Sequence, residues 1–186
     1  MDELKFALAK YIDIDDGEFQ TVSKYFNTKK IPKGSILIKR GQQSNDLFFI
    51  VKGALRVYWQ NGEQEITGWF AFENDFFCHL SSFISKEPSL FEVQSIENVE
   101  LYYITRKDIE TLYIELPKFE TFVRKFWEII IKNLIKNIVS FQTETAKQRY
   151  DKAIKNSVLI ERVPLKYLSS FLGVTPSSLS RIRKQK

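Results

Sequence analysis

Residues 161–184 read Glu161-Arg-Val-Pro-Leu-Lys-Tyr-Leu-Ser-Ser-Phe-Leu-Gly-Val-Thr-Pro-Ser-Ser-Leu-Ser-Arg-Ile-Arg-Lys184. Leu165, Leu168, Phe171 and Leu172 fall on one face of a helix, and Gly173 stands where that helix needs a left-handed residue to stop, with Val174 filling the corner. Thr175 then suits an N-cap and Pro176 the first helical position, with Leu179 and Ile182 facing inward. The spacing predicts a helix-turn-helix with its glycine in the turn. Short hydroxyls and guanidinium groups near a helix N-terminus suit the major groove, where Arg reads guanine through two hydrogen bonds. The candidate DNA contacts are Thr175, Ser177, Ser178, Ser180, Arg181, Arg183 and Lys184. Ser177, Ser178 and Arg181 are expected at base edges, and Ser180, Arg183 and Lys184 at phosphates.

Charge along the chain agrees. Residues 147–186 carry ten basic and two acidic side chains, a net of +8; the chain total of +5 leaves −3 for residues 1–146. That asymmetry is expected when one end of a protein faces a polyanion.

Upstream, from Thr105-Arg106-Lys107-Asp108, the apolar period is 3.6. Leu112, Leu116 and Phe119 lead across Pro117 into Phe122, Phe126, Ile130, Leu134, Ile138 and Phe141, with Val123, Trp127, Ile131 and Ile135 on the adjoining row. This predicts a helix of about 30 residues whose apolar face is too wide for one small domain to cover, so a second copy is the expected partner. Phe126, Trp127, Ile130, Leu134 and Ile138 are the expected dimer contacts.

Before that helix lie short runs rich in β-branched and aromatic residues: Ser35 to Lys39, Leu47 to Lys52, Ala54 to Trp59, Glu65 to Phe72, Phe91 to Ser95 and Val99 to Ile104. Turn signals separate them, among them Pro32-Lys33-Gly34, Glu73-Asn74-Asp75 and Asn61-Gly62, the last a two-residue hairpin signal. Many short strands at this spacing predict a sandwich or closed barrel. Residues 3–27 read as one or two short helices, the second capped by Asp15-Asp16. The fold class is therefore α+β, with a β-barrel domain at 1–116, a dimerisation helix at 117–146 and a DNA-binding domain at 147–186.

No run approaches the ~18 apolar residues of a membrane span, and the acidic start Met1-Asp2-Glu3 has the wrong sign for a secretory signal, so a cytoplasmic protein without a membrane partner is expected. The sole cysteine, Cys78, and sole histidine, His79, leave no metal-ligand spacing, and neither a metal nor a cofactor is expected. With no paired carboxylates, nucleophile–base pair or Gly-rich phosphate loop to read, enzymatic chemistry lacks its parts. Two readings remain open: a DNA-binding regulator, and an adaptor of the same fold whose DNA-binding domain is vestigial.

The sequence resembles the Crp/Fnr family of transcription regulators over nearly its whole length. The resemblance rests on Lys33-Gly34, Gly41, Leu47-Phe-Phe-Ile-Val-Lys-Gly53, Glu73-Asn-Asp-Phe-Phe77 and Tyr167 through Arg183. It implies a cyclic-nucleotide-binding-type jelly roll, a homodimer and a two-fold DNA site. The implied partners are double-stranded DNA, a second copy, RNA polymerase and a small-molecule effector of unknown identity. Members that bind cyclic AMP carry Phe-Gly-Glu-Leu, whose Glu holds the ribose, and about ten residues later an Arg that holds the phosphate. Here Phe77-Cys78-His79-Leu80 and Ser89-Leu90 take those places, so the effector pocket is expected at these six residues and cyclic AMP is not expected to bind well. Many relatives add a wing after the recognition helix, where this sequence ends at Gln185-Lys186.

Overall fold

The computed structural model describes residues 1–184. Its first two helices are α1 (Asp2–Ala9) and α2 (Asp16–Ser23). The Asp15 side chain accepts the Glu18 N–H and the Glu18 carboxylate accepts the Asp15 N–H, both at 2.9 Å, closing a capping box.

Strands β1 (Asn27–Ile31), β8 (Val99–Thr105), β3 (Asp46–Lys52) and β6 (Phe76–Cys78) form one antiparallel sheet in that order; β2 (Ile36–Ile38), β7 (Glu92–Ser95), β4 (Leu55–Asn61) and β5 (Gln64–Ala71) form the second. Two four-stranded sheets enclosing Leu47, Phe49, Leu55, Val93 and Leu101, none more than 1% exposed, make a jelly-roll core. Strands β1 and β6 lie outside the six runs read from sequence. The side chains of β1 are exposed except for Ile31, so they show no alternation, and β1 is a strand through its ladder with β8. The short run of β6 is wholly buried and too brief to carry a period.

The β4–β5 hairpin turns one residue later than its Asn-Gly pair suggests. Asn61 ends β4, and Gly62 (φ +61°) and Glu63 make the turn, with glycine at the first central position.

After α3 (Leu80–Ser85) and β7–β8, Thr105 caps α4 (Arg106–Glu115) through the Asp108 N–H. Pro117 lacks the N–H that would carry α4 onward, so the chain breaks at Leu116 and restarts as α5 (Lys118–Thr143). At 26 residues α5 spans about 39 Å, shorter than the expected 30 residues. Four further helices follow: α6 (Ala146–Ala153), α7 (Ser157–Arg162), α8 (Leu165–Phe171) and α9 (Pro176–Lys184).

The chain divides into two compact units. One contains residues 1–57 and 70–129; the other contains the hairpin tip 58–69 and residues 130 onward. In the first unit Phe76, Phe122 and Phe126 interlock, with Phe76–Phe122 centroids 4.8 Å apart. Gln185 and Lys186, where the absence of a wing was read, lie outside the described residues.

Candidate nucleic-acid interface

The end of α8 is closed by two backbone bonds. The Gly173 N–H reaches Ser170 O at 3.1 Å and the Val174 N–H reaches Ser169 O at 3.0 Å, with Gly173 at φ +69°. This is the Schellman pattern, which needs a residue free to adopt the left-handed region. Below the turn sits the Phe141 ring, so close that a Cβ on Gly173 would stand 2.9 Å from it. Arg149 lies over the same ring at 4.8 Å, its Nε donating to Leu172 O at 3.0 Å and its Nη1 to Glu144 O at 2.5 Å. One guanidinium thus satisfies carbonyls left open at the ends of two helices.

Thr175 opens α9 as an N-cap, its Oγ1 accepting the Ser178 N–H at 3.2 Å. The same hydroxyl lies 3.0 Å from Ser177 Oγ and 2.9 Å from Ser178 Oγ. Leu179 is fully buried and anchors the helix. Ser177, Arg181, Arg183 and Lys184 are exposed, while Ser178 and Ser180 are half-buried. Of the sequence-derived contacts, Thr175 is therefore a structural cap first, and the exposed basic residues sit toward the C-terminal half of α9.

Ser170 was not singled out by sequence reading. Its Oγ accepts the Thr67 N–H at 2.9 Å and donates to Glu65 O at 2.9 Å. One helical turn earlier, Lys166 Nζ lies 3.8 Å from the Glu65 carboxylate. A cleft of about 610 Å³ opens beside this contact, bordered by Glu63, Glu65 and Lys166 and by Thr175 and Pro176 at the start of α9.

In the other unit two of the six residues expected around an effector, His79 and Ser89, are joined by a hydrogen bond. His79 is fully buried; its Nδ1 accepts the Ser82 N–H at 3.2 Å and its Nε2 lies 2.7 Å from Ser89 Oγ. The network assigns the proton to Nε2, and burial holds the imidazole below its ordinary pKa, in the neutral form. Ser89 Oγ in turn donates to Phe91 O, and the Phe91 ring lies 4.4 Å from the imidazole. Phe77 and Cys78 are buried, Leu80 is half-buried, and Leu90 is 68% exposed. Burial also pushes the Cys78 thiol pKa far up, so it stays protonated and unreactive at neutral pH.

Along α5 the expected dimer residues separate. Phe126 is 3% exposed, packed on Phe76, Phe122 and Trp127 of its own chain, and so is a core residue rather than an interface one. Trp127 is half-buried with its ring 5.5 Å from Phe83, and Ile130 is half-buried. Beyond them Ile131, Leu134, Ile135, Ile138, Val139 and Phe141 are all 41–57% exposed. Among the described residues no helix is long and apolar enough to cross a membrane.

Residues 28–115 match the family model of the cyclic nucleotide-binding domain. No curated protein sequence matches the chain. Among solved structures, a CooA variant from Carboxydothermus hydrogenoformans is 18% identical with a TM-score of 0.71, covering 96% of this chain and 81% of that one. The catabolite activator protein of Thermus thermophilus is 18% identical with a TM-score of 0.63, covering 96% and 85%. The c-di-GMP-responsive global regulator CLP of Xanthomonas campestris is 14% identical with a TM-score of 0.73, covering 92% and 91%. At these identities the likeness is one of fold: a jelly roll of the cyclic-nucleotide-binding type followed by helices, as in Crp/Fnr-type regulators.

Proposed function

We propose that a chain with this jelly roll, this long helix and this terminal helix pair is a homodimeric, sequence-specific DNA-binding transcription regulator of the Crp/Fnr type. The observation that carries the reading is the α8–α9 pair: a glycine-closed turn, a Thr175 cap and a helix that leaves Ser177, Arg181, Arg183 and Lys184 in solvent on the chain's most basic segment. A purely structural hairpin would not need that face to be both exposed and cationic. It supports the active regulator over the adaptor with a vestigial domain.

Arg181 is assigned to a base edge and Lys184 to a phosphate. A duplex selected from a random pool by the unmodified protein supplies the specific site. Arg181→Ala is expected to cost about 1–3 kcal/mol on that site and to relax preference at one base pair per half-site. Lys184→Ala is expected to weaken all duplexes alike and flatten the salt dependence. Equal losses on specific and random duplexes for Arg181→Ala would show that it touches phosphate only. Failure of the unmodified protein to bind any duplex at low salt would remove the DNA reading.

Dimerisation is assigned to α5. Trp127, Ile131, Leu134, Ile138 and Phe141 recur at alternating spacings of four and three, the seam of a parallel coiled coil. Two copies related by a two-fold axis would present two α9 helices to half-sites roughly 34 Å apart.

The jelly roll is proposed to respond to something other than cyclic AMP. His79 takes the place of the ribose-holding carboxylate and has both ring nitrogens engaged within the chain, while Ser89 and Leu90 offer no guanidinium to a phosphate. Losing a charge-assisted phosphate contact costs about 1.5–3 kcal/mol, at least a tenfold loss. Calorimetry with cyclic AMP is expected to show no micromolar binding, and a micromolar or tighter constant would overturn the assignment.

A further inference from the structure

Helices α2, α4, α6, α7 and α9 are capped by Asp15, Thr105, Thr145, Asn156 and Thr175, side chains of the usual kind. The cap of α3 is an imidazole, His79 Nδ1 accepting the Ser82 N–H at 3.2 Å. Of these caps it alone loses its accepting atom by taking up a proton near neutral pH. His79 is the chain's sole histidine and is fully buried. Its other nitrogen, Nε2, donates to Ser89 Oγ at 2.7 Å. The Ser89 backbone is tied in turn to the bend before β3, with Gly41 N–H to Ser89 O and Ser89 N–H to Gln42 O both at 2.8 Å. Both ring nitrogens are therefore committed, one as acceptor and one as donor, and the ring fits this site only when neutral.

A proton arriving from solvent has one place to go, Nδ1, and there it faces the Ser82 N–H, donor against donor. On the surrounding elements, Lys39 and Arg40 before Gly41 and Lys86 and Glu87 after α3 are exposed, and Glu92 is half-buried at the start of β7. Arg106 of α4 donates to Phe83 O, and the Cys78 thiol beside His79 stays protonated. Burial already holds the imidazole below its ordinary pKa of about 6.5. Resting on the reading that the jelly roll responds to something other than cyclic AMP, we propose that its effector is the hydrogen ion and that His79 is the receptor. Protonation at Nδ1 sends the ring out to water, breaking the cap of α3 and the bond to Ser89. Phe83 of the same helix lies 5.5 Å from Trp127 of α5, so uncapping α3 loosens its hold on the helix assigned to dimerisation.

Once in water the imidazole titrates with its ordinary pKa, so the open form binds more protons than the closed one and gains on it as pH falls. Between about pH 7.5 and pH 5.5 the closed-to-open ratio is expected to fall by up to about tenfold. Native-state hydrogen exchange, normalised to the intrinsic rate at each pH, reads that ratio at the Ser82 and Ser89 amides. Protection at both is expected to drop by this factor while amides of the β3–β8 ladder keep theirs. The single histidine Cε1–H resonance should titrate in step. His79→Asn keeps a capping oxygen and cannot titrate, and its protection is expected to stay flat. A fluorotryptophan resonance of Trp127, assigned by its loss in Trp127→Phe, is expected to shift over the same range in the unmodified protein and to stay fixed in His79→Asn.

Flat protection at Ser82 and Ser89 in the unmodified protein, an equal fall throughout the β3–β8 ladder, or the same fall in His79→Asn overturns the proton sensor and leaves the cyclic AMP reading standing. A Trp127 resonance that holds still while Ser82 opens overturns the route to α5. Should His79→Asn fail to fold, the exchange profile and histidine titration of the unmodified protein decide alone. Micromolar cyclic AMP binding in calorimetry removes the reading beneath the proposal and the hydrogen ion's place as effector with it, so the two failures are read by different measurements.

Discussion

Ile138→Glu is expected to leave the protein monomeric at tens of micromolar and to weaken binding to a two-fold DNA site by about 10²–10⁴. Ile138 is 57% exposed in the single chain and sits mid-seam between Leu134 and Phe141. By two-fold symmetry the substitution places two carboxylates opposite each other in a desolvated seam, at an effective cost of several kcal/mol per ion. With the seam broken, each α9 binds its half-site alone and the gain from linking two sites is lost. Lys136→Glu, on the polar side of the same helix, is the control and should leave the dimer intact. Sedimentation equilibrium decides the point: a dimeric Ile138→Glu variant would show that α5 is not the interface.

The second large effect is expected from Gly173→Val, which should melt the α8–α9 pair while leaving the jelly roll folded. A side chain in the left-handed region costs about 1–2 kcal/mol, and crowding a packed ring costs a further 1–3 kcal/mol. Here the backbone is at φ +69° and the new Cβ would meet the Phe141 ring at 2.9 Å. The two contributions separate in a double-mutant cycle, since Phe141→Ala relieves the contact and leaves the backbone cost untouched. Far-ultraviolet circular dichroism should show partial helix loss, with the strand signal retained. A Gly173→Val variant that melts like the unmodified protein would mean the turn is not closed as described.

The glycine, the Thr175 cap and the buried Leu179 were legible because each rule acts over three or four residues. The six strands read from sequence were legible because burial alternates or is continuous along them. What sequence could not show depends on contacts made far away along the chain. Strand β1 exists through a ladder to β8, more than sixty residues on in sequence, not through its own side chains. Ser170 looks like any helical serine until a strand edge 103 residues earlier is brought to it. Phe126 stands on the same four-residue row as Ile130, Leu134 and Ile138, and only the aromatic cluster of its own unit marks it as core. His79 and Ser89 stand ten residues apart, and residue type alone could not show that their polar atoms bond each other at 2.7 Å.

The burial of Cys78 gives the protein a built-in clock. This thiol, the chain's sole cysteine, is 6% exposed and held protonated, within a strand paired to β3. A maleimide or disulfide reagent reaches it only when the strand opens, so the rate of labelling in native buffer counts excursions of the jelly roll out of its closed form. It also leaves the surface silent to thiol chemistry. A cysteine introduced anywhere outside the core would carry a dye, spin label or cross-linker to one known place, with no native cysteine to remove first.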